Sequence, residues 1–258
     1  RHIIYDKVIY LSDMTIHGWE TKFKEIRKEF GYSEKDDLNS AKKLNSLLKR
    51  NSSKKEFQKR IHGKTVFIIG AGPSLTKSLR YIKKSKNVTK IVADGAVRAL
   101  IEKNIKPDIL VTDLDGDLES IKKIGKTKIP IIVHAHGDNF DKLEIVKEFS
   151  NVTGTTQTKK VGKLENFGGF TDGDRCVFLA EYFNAKKIVL IGMDFGQKIG
   201  KYSKHKIVNR KIKIKKLKFG KRIIEWFGIK SKADLFSTNK IKGYKTIRMI
   251  DLECIENF

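Results

Sequence analysis

The chain has 258 residues, 39% of them hydrophobic and 33% charged, with a net charge of +25, which is enough apolar material for one sizeable core. No apolar run approaches the ~20 residues of a membrane helix. The Arg1-His2 start lacks a secretory apolar stretch, so a cytoplasmic protein with no membrane partner is expected. Cys176 and Cys254 form no CxxC pair; they read as buried thiols rather than zinc ligands.

Residues 1 to 62 are Lys/Glu-rich and read mainly as helix. Trp19, Phe23, Ile26 and Phe30 recur at spacings of 4, 3 and 4, one apolar stripe, and Gly31 follows as a stop. A second helix begins near Asp36-Asp37 with Leu38, Ala41, Leu44 and Leu48 on one face. This segment carries no evident chemistry and suits packing on the core or on a second subunit, so a homo-oligomer is compatible with it.

Residues 63 to 200 alternate strand-sized apolar runs with helical stretches. Strands are expected at Thr65–Ile69, Lys90–Ala93, Ile109–Thr112, Ile131–His134 and Lys187–Ile191. Helices are expected at Pro73–Lys83, Ala96–Lys103, Leu118–Lys123, Asp141–Phe149 and Asp174–Phe183. Buried runs joined by helices indicate an α/β fold, a Rossmann-like, doubly wound and mostly parallel sheet. Residues 201 to 258 form a basic C-terminal extension. Residues 198–245 hold 17 Lys or Arg against Glu225 and Asp234, a net of +15. A helix over 211–228 is preferred there to a strand over Lys211–Phe219, and Thr246–Leu252 reads as a last strand.

The first strand runs into Gly70-Ala71-Gly72-Pro73-Ser74-Leu75. The two glycines permit close backbone approach, and the following helix start offers free amides and a favourable dipole to a phosphate. This is half of a dinucleotide fingerprint, because Leu75 stands in place of the third glycine. Asp94, followed by Gly95, ends the next strand where a ribose-binding carboxylate would sit. A tight turn without ligand is the plain alternative.

The stretch Lys106–Asp117 weighs against a nicotinamide enzyme. Asp113, Asp115 and Asp117 follow directly on a strand, at the end where open α/β sheets bind ligands. Carboxylates crowded together repel unless a cation compensates, and hard oxygen donors suit Mg²⁺ with phosphates. A solvated acidic loop is the alternative. Further on, Thr171-Asp172-Gly173-Asp174-Arg175 precedes a helix: one aspartate could cap it, or Asp172 could reach the same metal. His134 and His136 form an HxH pair without a third soft ligand. A polar substrate loop of His136, Asp138 and Asn139 reads better than zinc. Asp194, at the end of the last core strand, suits a base, ribose, substrate or loop amides.

Together, GAGPSL, ADGA, KPD…TDLDGD, HAHGDN, FTDGDR and GMDFG, with Trp19, Ile26 and Phe30–Ser33 ahead of them, resemble the archaeal 6-hydroxymethyl-7,8-dihydropterin diphosphokinases over nearly the whole chain. ADGA, PD…DLD and TD are similar to the pattern of thiamin pyrophosphokinases, although Thr112 replaces their glycine and their later arginine-rich segment is missing. The resemblance implies transfer of diphosphate from ATP to a pterin hydroxymethyl group, releasing AMP, in pterin biosynthesis. By analogy with the thiamin enzymes, Asp113, Asp115 and Asp172 would hold Mg²⁺. Gly70, Ala71, Gly72, Pro73, Ser74, Asp94 and Gly95 would serve ATP, and His136, Asn139, Thr171 and Asp194 the substrate. Arg175 would neutralise charge, and Asp138 or His136 would be the candidate base. GAGPSL is shared with flagellin-modifying and sialyltransferase-like proteins, so a nucleotide-sugar glycosyltransferase is the alternative. Nucleic acid is not an expected partner, because no aromatic-interleaved basic platform is present.

Overall fold

The computed structural model describes residues 16–49, 54–203 and 209–258. The readings made on residues 1–15, the Arg1-His2 start included, and on residues 204–208 of the basic zone lie outside these. Three helices come first: α1 (Trp19–Phe30), α2 (Glu34–Leu47) and α3 (Lys54–Ile61). The α1 stripe buries Trp19, Phe23 and Ile26, and Gly31 ends the helix in a left-handed conformation with φ 67°, as the stop signal required. Ser33 starts α2 by accepting the Asp36 amide.

Eight strands follow: β1 (Thr65–Ile69), β2 (Thr89–Ala93), β3 (Ile109–Thr112), β4 (Ile131–Ala135), β5 (Val152–Thr156), β6 (Lys187–Ile191), β7 (Asp234–Ser237) and β8 (Lys245–Thr246). They make one sheet in the order β5-β4-β3-β2-β1-β6-β7-β8, and every neighbouring pair is parallel. The connecting helices are α4 (Leu75–Lys84), α5 (Asp94–Glu102), α6 (Leu118–Gly125), α7 (Asp172–Tyr182) and α8 (Arg210–Gly228). Among the described residues, no helix is long and apolar enough to cross a membrane.

Both faces of the sheet are covered, which is why its central strands are apolar throughout. Phe67, Ile69, Val92, Leu110 and Val133 pack on one face with residues of α2, α4, α5 and α6. Val66, Ile68, Ile91, Val111 and Leu190 pack on the other with α1, α3, α7 and α8. The chain leaves β1 through α4 on the first face and marches out to β5. It then returns through α7 on the second face to enter β6, on the other side of β1. The carboxyl ends of β1 and β6 are therefore the switch point, where open α/β sheets form their ligand crevice.

Two of these element expectations need correcting, and one strand was not expected. Thr246–Leu252 is not a strand: only Lys245 and Thr246 pair with β7, and Met249–Asn257 is a 3-10 helix started by Asp251, which accepts the Arg248 amide. That segment has Leu252 and Ile255 to bury, and a 3-10 turn does so without extending the sheet. Asp141–Phe149 belongs to a 3-10 helix that starts earlier, at Gly137–Glu148, because His136 caps it. β5 went unread because Thr153, Gly154, Thr155 and Thr156 carry no apolar run, although the strand is buried.

Candidate functional site

The glycine turns come first. Gly70 and Gly72 at the end of β1 face Gly192 and Asp194 at the end of β6, and a Cβ on Gly72 would stand 2.1 Å from the Asp194 carboxylate and 2.7 Å from Gly192 O. Gly192 itself has φ +66°. Asp194 ties the two turns together: its Oδ2 accepts from the Ser74 amide at 2.9 Å and hydroxyl at 2.8 Å, and its Oδ1 accepts from Asn239 Nδ2 at 3.2 Å. The glycines are thus required first by the meshing of two strand ends. Asp194 bonds loop atoms, one of the roles open to it in the sequence. Gly70, Ala71 and Gly72 still line a cavity of about 160 Å³, together with Asp94, Gly95 and Thr171. Pro73 lines a separate depression beside it, and Ser74 is spent on Asp194.

Four carboxylates line the same cavity. Asp94, Asp113, Asp115 and Asp172 each place a ligand oxygen within 4.8 Å of all the others. They arrive from three segments: Asp94 from the start of α5, Asp113 and Asp115 from the loop after β3, and Asp172 from the start of α7. Between Asp113 and Asp115, Leu114 is left-handed with φ 66° and wholly buried. Its amide donates to Thr112 Oγ1 at 2.8 Å. This turn sends both aspartates to the same side while Leu114 anchors the loop. Asp94 Oδ2 accepts from Thr112 Oγ1 at 3.1 Å and from the Gly116 amide at 3.0 Å. Asp94 is therefore part of the carboxylate cluster, whereas the sequence suggested a place beside a ribose.

Asp117 is not in the cluster. Its Oδ2 caps α6 by accepting from the Ser120 amide and hydroxyl, the competing use of an aspartate at a helix start. Asp174, in the first turn of α7, is the capping-box partner of Thr171, accepting from the Phe170 amide and from the amide and hydroxyl of Thr171. Its burial pushes its pKa up to about 6. Asp172 Oδ1 is buried and accepts no hydrogen bond among the described residues, with Arg175 Nη1 3.7 Å away. Burial, then the charges of Asp113 and Asp94, push the Asp172 carboxyl well above the usual carboxylate range. A carboxylate cluster that resists ionising and leaves an oxygen unsatisfied is one that could hold a cation. Hard oxygen donors of this kind suit a divalent cation.

A second cleft of about 220 Å³ opens beyond Asp113. His136 Nε2 lies 3.3 Å from Asp113 Oδ2, and its Nδ1 accepts the Asp138 amide at 3.2 Å. In the neutral ring the proton is therefore on Nε2 and faces Asp113. Asp138 is exposed at the rim, outside the carboxylate cluster. Asn139 is buried, and its side-chain amide is fully used: Nδ2 donates to the carbonyls of Asp113 and His134, and Oδ1 accepts from the His136 amide. It holds the loops rather than facing either cleft. His134 bonds Thr155 and Gln157, and burial, then the Arg175 charge, hold its pKa well below 6.5. Arg175, 6% exposed, lies between the second cleft and Asp172.

Other parts of the site were not singled out by number in the sequence, although the basic zone that carries three of them was. Lys198, Lys213 and Lys216 reach the first cavity from the segment after β6 and from α8. Tyr32, Asp36 and Gln157 line the second cleft. Charge marked the basic zone in the sequence, but which of its lysines, and which distant polar residues, reach the clefts is decided only when the fold joins them.

A parallel doubly wound sheet with a cation-competent carboxylate cluster at its switch point defines a Rossmann-like α/β protein. Over the full fold it is similar to a MAf glycosyltransferase from Magnetospirillum magneticum AMB-1, with TM-score 0.55 and 14% identity, covering 86% of this chain and 41% of that one; at this identity the likeness concerns the fold. Residues 38–200 match the model of the family described as 6-hydroxymethylpterin diphosphokinase MptE-like. A 6-hydroxymethyl-7,8-dihydropterin pyrophosphokinase of Methanocaldococcus jannaschii is 42% identical over 230 residues, covering 83% of this chain and 95% of the relative. The protein of the same name from Pyrococcus furiosus is 45% identical over 217 residues, covering 81% and 92%. The chain belongs to the MptE-like 6-hydroxymethylpterin diphosphokinase family.

Proposed function

We propose that this protein transfers the diphosphate of ATP to the hydroxymethyl group of 6-hydroxymethyl-7,8-dihydropterin and releases AMP, as a cytoplasmic step of pterin cofactor biosynthesis. Family membership and the names of its relatives support the reaction class. The observation that carries the mechanism is the convergence of Asp94, Asp113, Asp115 and Asp172 beside the glycine turns at the switch point.

In this reaction the pterin hydroxyl oxygen forms a bond to the β-phosphorus. The bond from that phosphorus to the bridging oxygen of the α-phosphate breaks, and AMP departs with the electron pair. The hydroxyl proton is lost to a base or to water. Such a step is catalysed mostly by positioning and by charge neutralisation. The carboxylate cluster would hold Mg²⁺, which supplies charge neutralisation at the phosphate oxygens. The turns at Gly70–Gly72 and Gly95 bring backbone close to the nucleotide, and the starts of α5 and α7 add their dipoles at the same rim. Lys198, Lys213 and Lys216 line the cavity and offset the remaining phosphate charge. His136 directs a proton toward Asp113 Oδ2 and so fixes the orientation of that carboxylate.

The test is incubation of the protein with ATP, Mg²⁺ and 6-hydroxymethyl-7,8-dihydropterin, followed by chromatography for AMP and the pterin diphosphate. Formation of both in equal amounts is expected. A folded protein that forms neither would overturn the reading.

A further inference from the structure

Two clefts meet at the carboxylate cluster. The first, lined by the glycine turns, and the second, which opens toward α2, share Asp113, Phe170 and Lys216. A ligand in each would bring its reactive end to the same carboxylate. We infer that the second cleft is the acceptor subsite: the flat pterin ring lies against Tyr32 and Phe170, its N–H edge is recognised by Asp36, and its hydroxymethyl group points to Asp113. This assignment rests on the reaction proposed above.

The chemistry of the walls separates the two clefts. Tyr32 is stacked on Phe30 with an interplanar angle of 7° and a centroid distance of 5.6 Å, and Phe170 lies 6.2 Å from Tyr32. Phe30 is in turn wedged against Phe170 and Phe219, each at 5.1 Å. The aromatic wall is therefore held from behind, and a held π-face is suited to a planar heterocycle. Lys216 stands 5.6 Å from the Tyr32 ring, at the junction of the clefts, where the transferred phosphate would pass.

Charge argues the same way. Outside the metal-competent cluster, the second cleft carries Asp36, Asp37 and Asp138, opposed by Arg175 and Lys216. That wall repels a triphosphate and suits a neutral ring rich in N–H donors. Asp37 is already used, its two oxygens accepting from the Gly137 amide at 2.9 Å and from Gln157 Nε2 at 2.7 Å. Asp36 is exposed in the first turn of α2, and its carboxylate enters no ion pair among the described residues.

The experiment measures the dissociation constants of 6-hydroxymethyl-7,8-dihydropterin and of ATP separately, by calorimetry, in the wild type, Asp36→Asn, Tyr32→Ala and Tyr32→Phe. Loss of a charge-assisted hydrogen bond should weaken pterin binding by roughly 10-fold or more in Asp36→Asn. Tyr32→Ala should weaken it similarly and Tyr32→Phe should restore it. ATP binding and the thermal midpoint of Asp36→Asn should stay at wild-type values. Pterin binding unchanged in Asp36→Asn and Tyr32→Ala, with a wild type that binds and turns over, overturns the subsite alone. Weakened ATP binding in Asp36→Asn would put the nucleotide in this cleft and also overturns it. A wild type that does not bind the pterin at all removes the functional reading and this assignment with it.

Discussion

Asp115 and His134 show how differently two recessed polar groups can serve one molecule. Asp115 sits in a cluster of four carboxylates that could share a cation. Asp115→Asn should lower kcat by about 10²-fold or more while circular dichroism and the thermal midpoint without metal stay unchanged or rise; full activity would remove Asp115 from the chemistry. His134 is satisfied internally by Thr155 and Gln157, and burial holds its pKa well below 6.5. As pH falls through about 6.5, the unfolded chain takes up a proton that the folded state refuses. This group therefore subtracts stability at up to about 1.4 kcal/mol per pH unit. The raised pKa values of Asp172 and Asp174 act in the opposite sense, but they are common to a His134→Gln variant. Urea unfolding of the two proteins at several pH values should therefore give a free-energy difference that shifts in favour of the variant on acidification. Residues at strand ends were the legible ones: Asp113, Asp115 and Asp172 stand together because parallel strands all deliver their loops to one rim. Asp117 misled because a helix cap needs the same residue type in the same place. Asp94 was seen, but the glycine fingerprint ahead of it suggested a ribose.

Among the elements, the C-terminal 3-10 helix depends on a charged group hidden beneath it. Lys187, at the start of β6, is 3% exposed, and its Nζ donates to Ile255 O at 3.1 Å and Glu256 O at 3.0 Å. Lys187→Met keeps the apolar stem and strands those carbonyls. It should cost about 1–3 kcal/mol, with faster amide exchange confined largely to residues 249–257. Exchange that rises evenly through the sheet would contradict this tie. The sequence showed α1 through its stripe and favoured a helix over 211–228, which α8 matches, although the alternating lysines also offered a strand over Lys211–Phe219. The helix is decided by tertiary packing: Ile223, Ile224 and Phe227 are buried against the layer that contains α1 and α7. Trp19 completes that layer, meeting Phe178 at 4.7 Å.

For the whole molecule, the doubly wound sheet was readable from apolar runs and intervening helices, but the strand order was not, because no local feature says on which side of β1 the chain returns. The order matters for the cation. The four carboxylates come from segments spread from Asp94 to Asp172 and are assembled only when α7 packs against the sheet beside β2 and β3. A divalent ion should consequently bind the folded chain in preference to the unfolded one. Above its dissociation constant, each tenfold rise in free Mg²⁺ should add about 1.4 kcal/mol of stability. Scanning calorimetry should show a thermal midpoint that climbs with Mg²⁺ in the wild type and much less in Asp115→Asn.

Position 114 has little freedom to drift. Glycine would accept the positive φ of Leu114 but would empty a site that the side chain fills completely. Asparagine would tolerate the backbone yet carry an amide into an oily layer, and valine or isoleucine would fit the layer while resisting the turn. Mutational scanning should find this leucine, which bears no functional group, nearly as intolerant of replacement as the aspartates on either side of it.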